Sequence, residues 1–317
     1  MDKVFFEELE LPAPKFNLDV GSGTHAEQTG KIMTGVERVL ADVRPDIVLV
    51  QGDTNTVLAA SLAASKMHVK VGHVEAGLRS FDMRMPEEIN RVMADHVSDM
   101  LFAPTELAKE NLLREGISEG VYVTGNTIVD AVYQTVEIAR SKSDALGRFG
   151  LKPGGFSIAT VHRQENVDQK GKLSDIIKGL GRVAEETGMP VVLPMHPRTQ
   201  KRIDEFGLDP RGITCVPPLG FLDFLLLESS ARLALTDSGG VQEETCILKV
   251  PCVTLRENTE RPETLEVGSN VLAGTDPEKI VRLAKSMLNA KRSWRNPFGD
   301  GKAGTRIVDA VKTVCEL

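Results

Sequence analysis

Three acidic residues in the first half of the chain stand where carboxylates can move protons. Asp53 follows the apolar run Ile47-Val48-Leu49-Val50 in Gln51-Gly52-Asp53-Thr54, Glu75 closes His73-Val74-Glu75, and Glu87 comes directly after Pro86. A carboxylate acts as general base or acid when burial or a like-charged neighbour raises its pKa toward neutrality. Three of them converging on one crevice would suit general acid–base work. The plain alternative is that Asp53 caps a helix and that Glu87 or Glu88 complements a helix dipole. Glu75 resists that alternative, because a carboxylate at the end of a buried strand, inside His-Val-Glu-Ala-Gly, is seldom placed for solubility.

The second half carries anion chemistry. The run 233–236 reads as a buried strand, Ser238-Gly239-Gly240 as a tight turn, and Val241 onward as the first turn of a helix. Glycines let backbone approach an anion, and unpaired N–H groups at a helix N-terminus point at it with a favourable dipole. The alternative is an ordinary strand-to-helix turn with Ser238 as N-cap. His162 and Arg163 end another apolar run, and an Arg there can grip phosphate as a fork. His196, in Pro194-Met195-His196-Pro197, is a similar case. Phe221 and Phe224 follow Pro217-Pro218 and are either core residues or, for Phe224, a ring set against a base. Arg256 and Arg261 lie in the charged stretch 255–263, which is either a solvated loop or an extension of the anion site.

The elements that must position these residues alternate. Apolar runs at 46–50, 70–74, 100–103 and 121–123 predict strands, with helices over 26–43, from about Asn55 to Lys66, after Pro86 and over 128–141. Thr24 and Glu27 predict a capping box. Further strands are predicted near 157–161, 191–194, 213–216, 233–236, 252–254 and 270–272. Such alternation predicts an α/β protein of two doubly wound Rossmann-like domains facing a cleft, with ligands at the carboxyl ends of the strands. The charged, Gly- and Pro-containing stretch from Ser141 to Gly155 marks the expected boundary. The expected parts are an N-terminal domain 1–143, a C-terminal domain 155–300 and a docking helix 301–317 with Ile307, Val308, Val311 and Val314 on one face. Residues 1–20 read as a short helix-like start, then Pro12 and Pro14, then a weak extended run to Val20. Gly21-Ser22-Gly23-Thr24-His25-Ala26 imitates a dinucleotide fingerprint, but the preceding 16–20 is too polar for a central parallel strand.

With 317 residues, 41% hydrophobic and 26% charged, the chain can bury a sizeable core. A net charge of -7 argues against general binding to nucleic acid or anionic membranes and leaves room for a small anion in a local basic pocket. The four cysteines show no C-x-x-C or metal-ligand spacing and read as reduced core residues of a cytosolic protein. No apolar run approaches the ~18 residues of a membrane span, and the acidic start is not a signal peptide. The expected location is the cytoplasm.

Taken together and in order, Gln51-Gly52-Asp53-Thr54, His73-Val74-Glu75-Ala76-Gly77-Leu78-Arg79 with Pro86-Glu87-Glu88, Thr160-Val161-His162-Arg163, and Thr236-Asp237-Ser238-Gly239-Gly240 with Glu243-Glu244 resemble the non-hydrolysing UDP-N-acetylglucosamine 2-epimerases. Thr259-Glu260-Arg261-Pro262-Glu263 and Asn296-Pro297-Phe298-Gly299-Asp300-Gly301 agree. The resemblance implies a two-domain fold shared with nucleotide-sugar glycosyltransferases, a homodimer, and no metal or nicotinamide cofactor. It implies that Asp53, Glu75 and Glu87 are the catalytic carboxylates and that His162 lies at the diphosphate. Arg163, Ser238, Gly239, Gly240 and Arg261 would surround the phosphates, Glu244 would bind ribose and Phe224 would meet uracil. UDP-N-acetylglucosamine is the implied substrate and a possible allosteric activator.

The implied chemistry eliminates UDP from C1 with loss of the C2 proton, giving a 2-acetamidoglucal, and then adds UDP back with reprotonation on the other face. Asp53 and Glu87 are the favoured proton carriers, with Glu75 positioning the substrate or serving as the alternative base. A glycosyltransferase of the same fold, a hydrolysing epimerase and a non-catalytic nucleotide-sugar binder are the rival readings. A nicotinamide-dependent epimerase is disfavoured, since neither Tyr122 nor Tyr133 is followed four residues later by Lys. The family pattern begins with a buried strand and a Gly-Thr-Arg-Pro-Glu loop ahead of the region matching Met1. The expectation is therefore an N-terminally truncated chain, poorly stable and nearly inactive alone.

Overall fold

The structure, a computed structural model, describes residues 6, 8, 9 and 11–316. The helix-like start expected ahead of Pro12 lies mostly outside them. Contacts divide the chain into two compact units, one of Pro12–Ala131 with Phe298–Leu317 and the other of Met1–Leu11 with Val132–Pro297.

In the first unit, β1 (Ile47–Gln51), β2 (Lys70–Val74), β3 (Met100–Ala103) and β4 (Val121–Val123) form a parallel sheet in that order. The helices that alternate with its strands are α1 (His25–Val43), α2 (Asn55–Lys66), α3 (Pro86–His96) and α4 (Glu106–Arg114), and α5 (Thr127–Lys142) follows β4. The predicted capping box opens α1, with Thr24 Oγ1 accepting from Glu27 N at 3.3 Å and Glu27 Oε2 accepting from Thr24 N at 3.0 Å. Leu40 of α1, Val57, Ala60 and Ala64 of α2, and Val50 and Val71 of the sheet make one core cluster. No strand precedes Gly21 among the described residues, so the imitation fingerprint has no sheet edge to work from.

The second unit holds a parallel sheet in the order β10-β9-β8-β5-β6-β7. Its strands are β5 (Ser157–Thr160), β6 (Val191–Pro194), β7 (Ile213–Val216), β8 (Leu233–Thr236), β9 (Cys252–Thr254) and β10 (Asn270–Leu272). Its helices are α6 (Ala145–Arg148), α7 (Gln164–Val167), α8 (Lys170–Thr187), α9 (Pro197–Phe206), α10 (Phe221–Ser230), α11 (Gly239–Ile247), α12 (Pro262–Glu266) and α13 (Pro277–Leu288). Strand order departs in opposite directions from β5, to β6 and β7 on one side and to β8, β9 and β10 on the other. The carboxyl ends of β5 and β8 therefore flank a topological switch point, where open α/β sheets bind ligands. Both units are Rossmann-like α/β layers.

Several details differ from expectation. The contact division falls within α5, between Ala131 and Val132, not near 143, because a helix carries the chain across without a compositional break. The C-terminal helix α14 (Ala303–Cys315) belongs to the first unit, where Ile307 packs with Val74, Met100 and Phe102 while Val308 stays exposed. Gly239 and Gly240 are not a turn but the first residues of α11, with Ser238 as N-cap. Cys246 and Cys252 are buried, whereas Cys215 is exposed on β7 and so is no core residue; all four cysteines are free thiols. Among the described residues, no helix is long and apolar enough to cross a membrane.

Candidate active site

The parallel register of the first sheet sets Gln51 beside Val74, so the residues leaving β1 and β2 emerge as neighbours at the carboxyl edge. Glu75 adopts φ +69°, a left-handed conformation that costs a residue with a side chain roughly 1–2 kcal/mol. Gln51 Nε2 donates to Glu75 Oε1 at 3.0 Å and also reaches Thr127 Oγ1 at 3.1 Å. The strained turn is clamped from below. Gly77 N donates to Asp95 Oδ2 at 3.1 Å, and Asn111 Nδ2 donates to the Gly77 carbonyl at 3.0 Å. Arg79 meets Asp95 at 2.7 Å and Glu115 at 2.6 Å. Gly77 itself has φ +79°, and a Cβ there would lie 2.2 Å from the Ala108 carbonyl oxygen.

Buried His73 ties this turn to the neighbouring loop, with Nδ1 2.6 Å from Asp95 Oδ1 and Nε2 2.9 Å from the Gly52 carbonyl. Asp53 follows directly. Its Oδ2 accepts from Arg91 Nε at 3.0 Å and Nη2 at 2.8 Å, and its carbonyl accepts from Asn90 Nδ2 at 2.8 Å. Asp53 is not a helix cap: the N-cap of α2 is Thr54, without a side-chain bond. Glu88 is buried and accepts from Ser80 N at 2.9 Å and Phe81 N at 2.8 Å. Burial pushes its pKa up, but these N–H groups and Arg91 outweigh that and hold the carboxyl below its ordinary range. Glu87, by contrast, is exposed and makes no hydrogen bond or ion pair among the described residues. It shares a helix face with Asn90 and Arg91, three and four residues on, which hold Asp53.

In the second unit, Asp237 is fully buried beneath the loop that follows β5. It accepts from His162 N at 3.1 Å, Arg163 N at 3.0 Å and Asn166 Nδ2 at 3.1 Å, and His162 Nδ1 lies 3.1 Å away. Burial pushes the Asp237 pKa up, and His162 with the two backbone N–H groups outweighs it, leaving the carboxyl below its ordinary value. The Arg163 guanidinium is 3.6 Å from Glu260, and a Cβ on Gly239 would lie 3.8 Å from Arg163 Nη2. Arg163 therefore overhangs the N-terminus of α11, whose leading N–H groups have no intrahelical acceptor. Arg256 is buried against Glu260 at 2.8 Å and Glu165 at 3.3 Å, and Arg261 pairs with Glu243 at 2.8 Å. Both arginines are thus tied to carboxylates rather than loose in a solvated loop.

Beside this arrangement lies a cavity of about 320 Å³ lined by residues including Thr160, His162, His196, Gly220, Phe221 and Phe224. The His162 and His196 rings stand 5.9 Å apart, and His196 also caps α9 by accepting from Arg198 N at 3.2 Å. Glu244 lies one turn into α11 on the face of Gly240. A larger groove of about 810 Å³ runs between α8 and α13 and holds none of the candidate residues. Among the described residues, no cluster of His, Cys, Asp and Glu could hold a metal ion.

A profile of the UDP-N-acetylglucosamine 2-epimerase family matches residues 1–312. The chain belongs to this family. It is 56% identical over 316 residues to the UDP-N-acetylglucosamine 2-epimerase of Methanocaldococcus jannaschii, a match covering 97% of this chain and 86% of that protein. A solved structure of the UDP-GlcNAc 2-epimerase from that organism superposes with a TM-score of 0.91 at 55% identity, covering 99% of this chain and 89% of the other. The crystal structure of the M. jannaschii epimerase in complex with UDP-GlcNAc and UDP superposes with a TM-score of 0.83 at 55% identity, covering 99% and 88%.

Within this epimerase-family chain, the first unit places Asp53 and Glu75 at adjacent strand ends, and the second gathers His162, Arg163, Ser238, Gly239 and Gly240 around the switch point. Sequence reasoning missed Asn90, Arg91, Asp95 and the burial of Asp237. The helical spacing from Glu87 to Asn90 and Arg91 was the available signal for two of them. Asp95 and Asp237 act through partners far away in the chain, which spacing does not reveal.

Proposed function

We propose that this protein interconverts UDP-N-acetylglucosamine and UDP-N-acetylmannosamine. The observation that carries the reading is the pair of carboxylates Asp53 and Glu75, held at neighbouring strand ends by Arg91 and Gln51, in a chain of this family. A carboxylate removes the C2 proton while the C1–O bond to UDP breaks. The C–H electron pair becomes the C1=C2 bond of a 2-acetamidoglucal, and the oxygen leaves with its own pair. UDP then adds back to C1 as a proton is delivered to the opposite face of C2. The cycle is redox-neutral and calls for no cofactor.

Asp53 and Glu87 carry the protons in this reading, and Glu75 positions the sugar or serves as the alternative base. Arg163, Arg261, His162 and the N-terminus of α11 stabilise the charge on the departing diphosphate. Phe224 meets uracil and Glu244 takes the ribose hydroxyls. The same family reading carries a homodimer, with UDP-N-acetylglucosamine as a possible activator as well as substrate, and the proposed location is the cytoplasm.

The test is incubation with UDP-N-acetylglucosamine alone in deuterated water, followed by NMR. The expected result is UDP-N-acetylmannosamine with deuterium at C2. Release of free N-acetylmannosamine would make the protein a hydrolysing enzyme, a requirement for an acceptor would make it a transferase, and UDP binding without C2 exchange would make it a binder.

A further inference from the structure

Glu228 has no contact with solvent, and among the described residues neither of its oxygens receives a hydrogen bond from an N–H or O–H donor. It faces the carboxyl of Glu244 at hydrogen-bonding range. The two acids come from different helices. On α10, Glu228 lies four residues after Phe224, on the helix face that also gives Phe224 to the 320 Å³ cavity. On α11, Glu244 lies four residues after Gly240, and it is the partly exposed member of the pair. Glu244 is thereby backed by a buried acid.

Two carboxylates in contact inside a protein do not both stay ionised, because lost hydration and mutual repulsion place a proton on one of them. The deeper group is the better place for the neutral form. Burial first, and the neighbouring Glu244 charge second, push the Glu228 pKa well above the ordinary carboxyl value. Burial also raises Glu244, while the hydrogen bond from Glu228 pulls it back.

We propose that Glu228 is a positioning residue, a neutral acid that keeps its proton, donates a hydrogen bond through it to Glu244, and fixes that carboxylate to accept from the two neighbouring hydroxyls of a bound ribose. The inference rests on the nucleotide reading above. An ionised carboxylate offers about four acceptor positions. With one occupied by Glu228, the remaining ones have a set direction, and a sugar lacking the 2′-hydroxyl leaves one of them unpaired in a half-buried site. Glu228 thus makes the site selective for ribonucleotides.

Two variants separate donation from packing: E228Q keeps the shape and a donor N–H, and E228L keeps the bulk without a donor. The wild-type protein is expected to bind UDP at least ~10-fold more tightly than 2′-deoxy-UDP, on the scale of one hydrogen bond to a charged group. E228Q should keep that ratio within about threefold and E228L should bring it close to unity, with KM for the nucleotide sugar raised and kcat little changed. The infrared spectrum without ligand gives an independent readout, a C=O stretch of a buried protonated carboxyl that both variants lose. Retention of the wild-type ratio by E228L, its loss in E228Q, or a wild-type spectrum without the band would each overturn the proposal. Wild-type protein that shows the band but binds neither nucleotide would leave the proton-sharing pair standing and overturn the nucleotide reading.

Discussion

Asp237→Asn tests the arrangement beneath the nucleotide loop. The Asp237 carboxylate accepts from two backbone N–H groups and from Asn166, all between 3.0 and 3.1 Å, in a site closed to solvent. All three donors reach Oδ2, so an amide oxygen in that position keeps them as weaker, neutral hydrogen bonds, while the NH₂ group in the Oδ1 position faces His162 N. At about 1 kcal/mol lost from each of the three weakened bonds and about 1–3 kcal/mol for the facing donors, the loss is roughly 4–6 kcal/mol, a large share of a typical 5–15 kcal/mol total. A calorimetric melt should therefore fall by on the order of 10 °C. Because Arg163 is held through its own backbone N–H, UDP affinity should also drop by about tenfold or more. The pH dependence has a definite sign. The carboxyl titrates at 3.8 when unfolded and lower when folded, so its contribution is complete above pH 3.8 and disappears as pH falls through the folded value. The acid limb of the stability curve below pH 3.8 should flatten in the variant. A D237N protein that melts within about 2 °C of wild type and binds UDP unchanged would refute the reasoning.

Three further substitutions probe the first unit. Glu75→Gln should lower turnover at least ~100-fold if Glu75 has acid–base duty, and unchanged solvent-deuterium incorporation at C2 would count against it. Arg91→Lys keeps a cation but loses the fork that grips Asp53 and Glu88; kcat should fall about tenfold with UDP affinity unaltered in a calorimetric titration, and a normal kcat would show that Asp53 needs no such grip. Gly77→Ala forces a methyl group to within 2.2 Å of the Ala108 carbonyl at a positive φ, at a cost of about 2–4 kcal/mol. Urea unfolding should show that loss, and wild-type stability would mean that the turn carrying Glu75 is not clamped.

Much of the layout was legible in the sequence because parallel strands are covered on both faces. Leu233, Ala234 and Leu235 are all fully buried, as a continuous apolar run requires, and the run stops at polar residues where the strand ends. That abrupt change from apolar to polar residues marks Asp53, Glu75, His162 and Ser238 by residue order alone. Thr24 and Glu27 announced α1 by a local rule that needs only four residues. What stayed hidden depends on partners remote in the chain. Arg91 matters through Asp53, 38 positions away, and Asn166 through Asp237, 71 positions away. The division between units was also hidden, because α5 is a regular helix across it. Cys215 reads as core by residue type, yet β7 is an edge strand and leaves it in solvent.

Asp237 and Glu228 show why residue type alone does not assign chemistry. Both are carboxyls of the second unit with no exposed surface, and the cost of removing a charge from water acts on both in the same direction. Asp237 lies among N–H donors, which outweigh that cost and keep it ionised; Glu228 faces another acid and no donor, so nothing opposes neutralisation. One is therefore an anchor for positive and N–H groups, and the other is itself a donor. A polar but uncharged replacement should act oppositely at the two positions. Asn at 237 turns an acceptor into a partial donor among donors and destabilises, whereas Gln at 228 replaces a donor with a donor and is tolerated. Equal tolerance at both sites would mean that burial alone, and not the neighbours, sets the state of these acids.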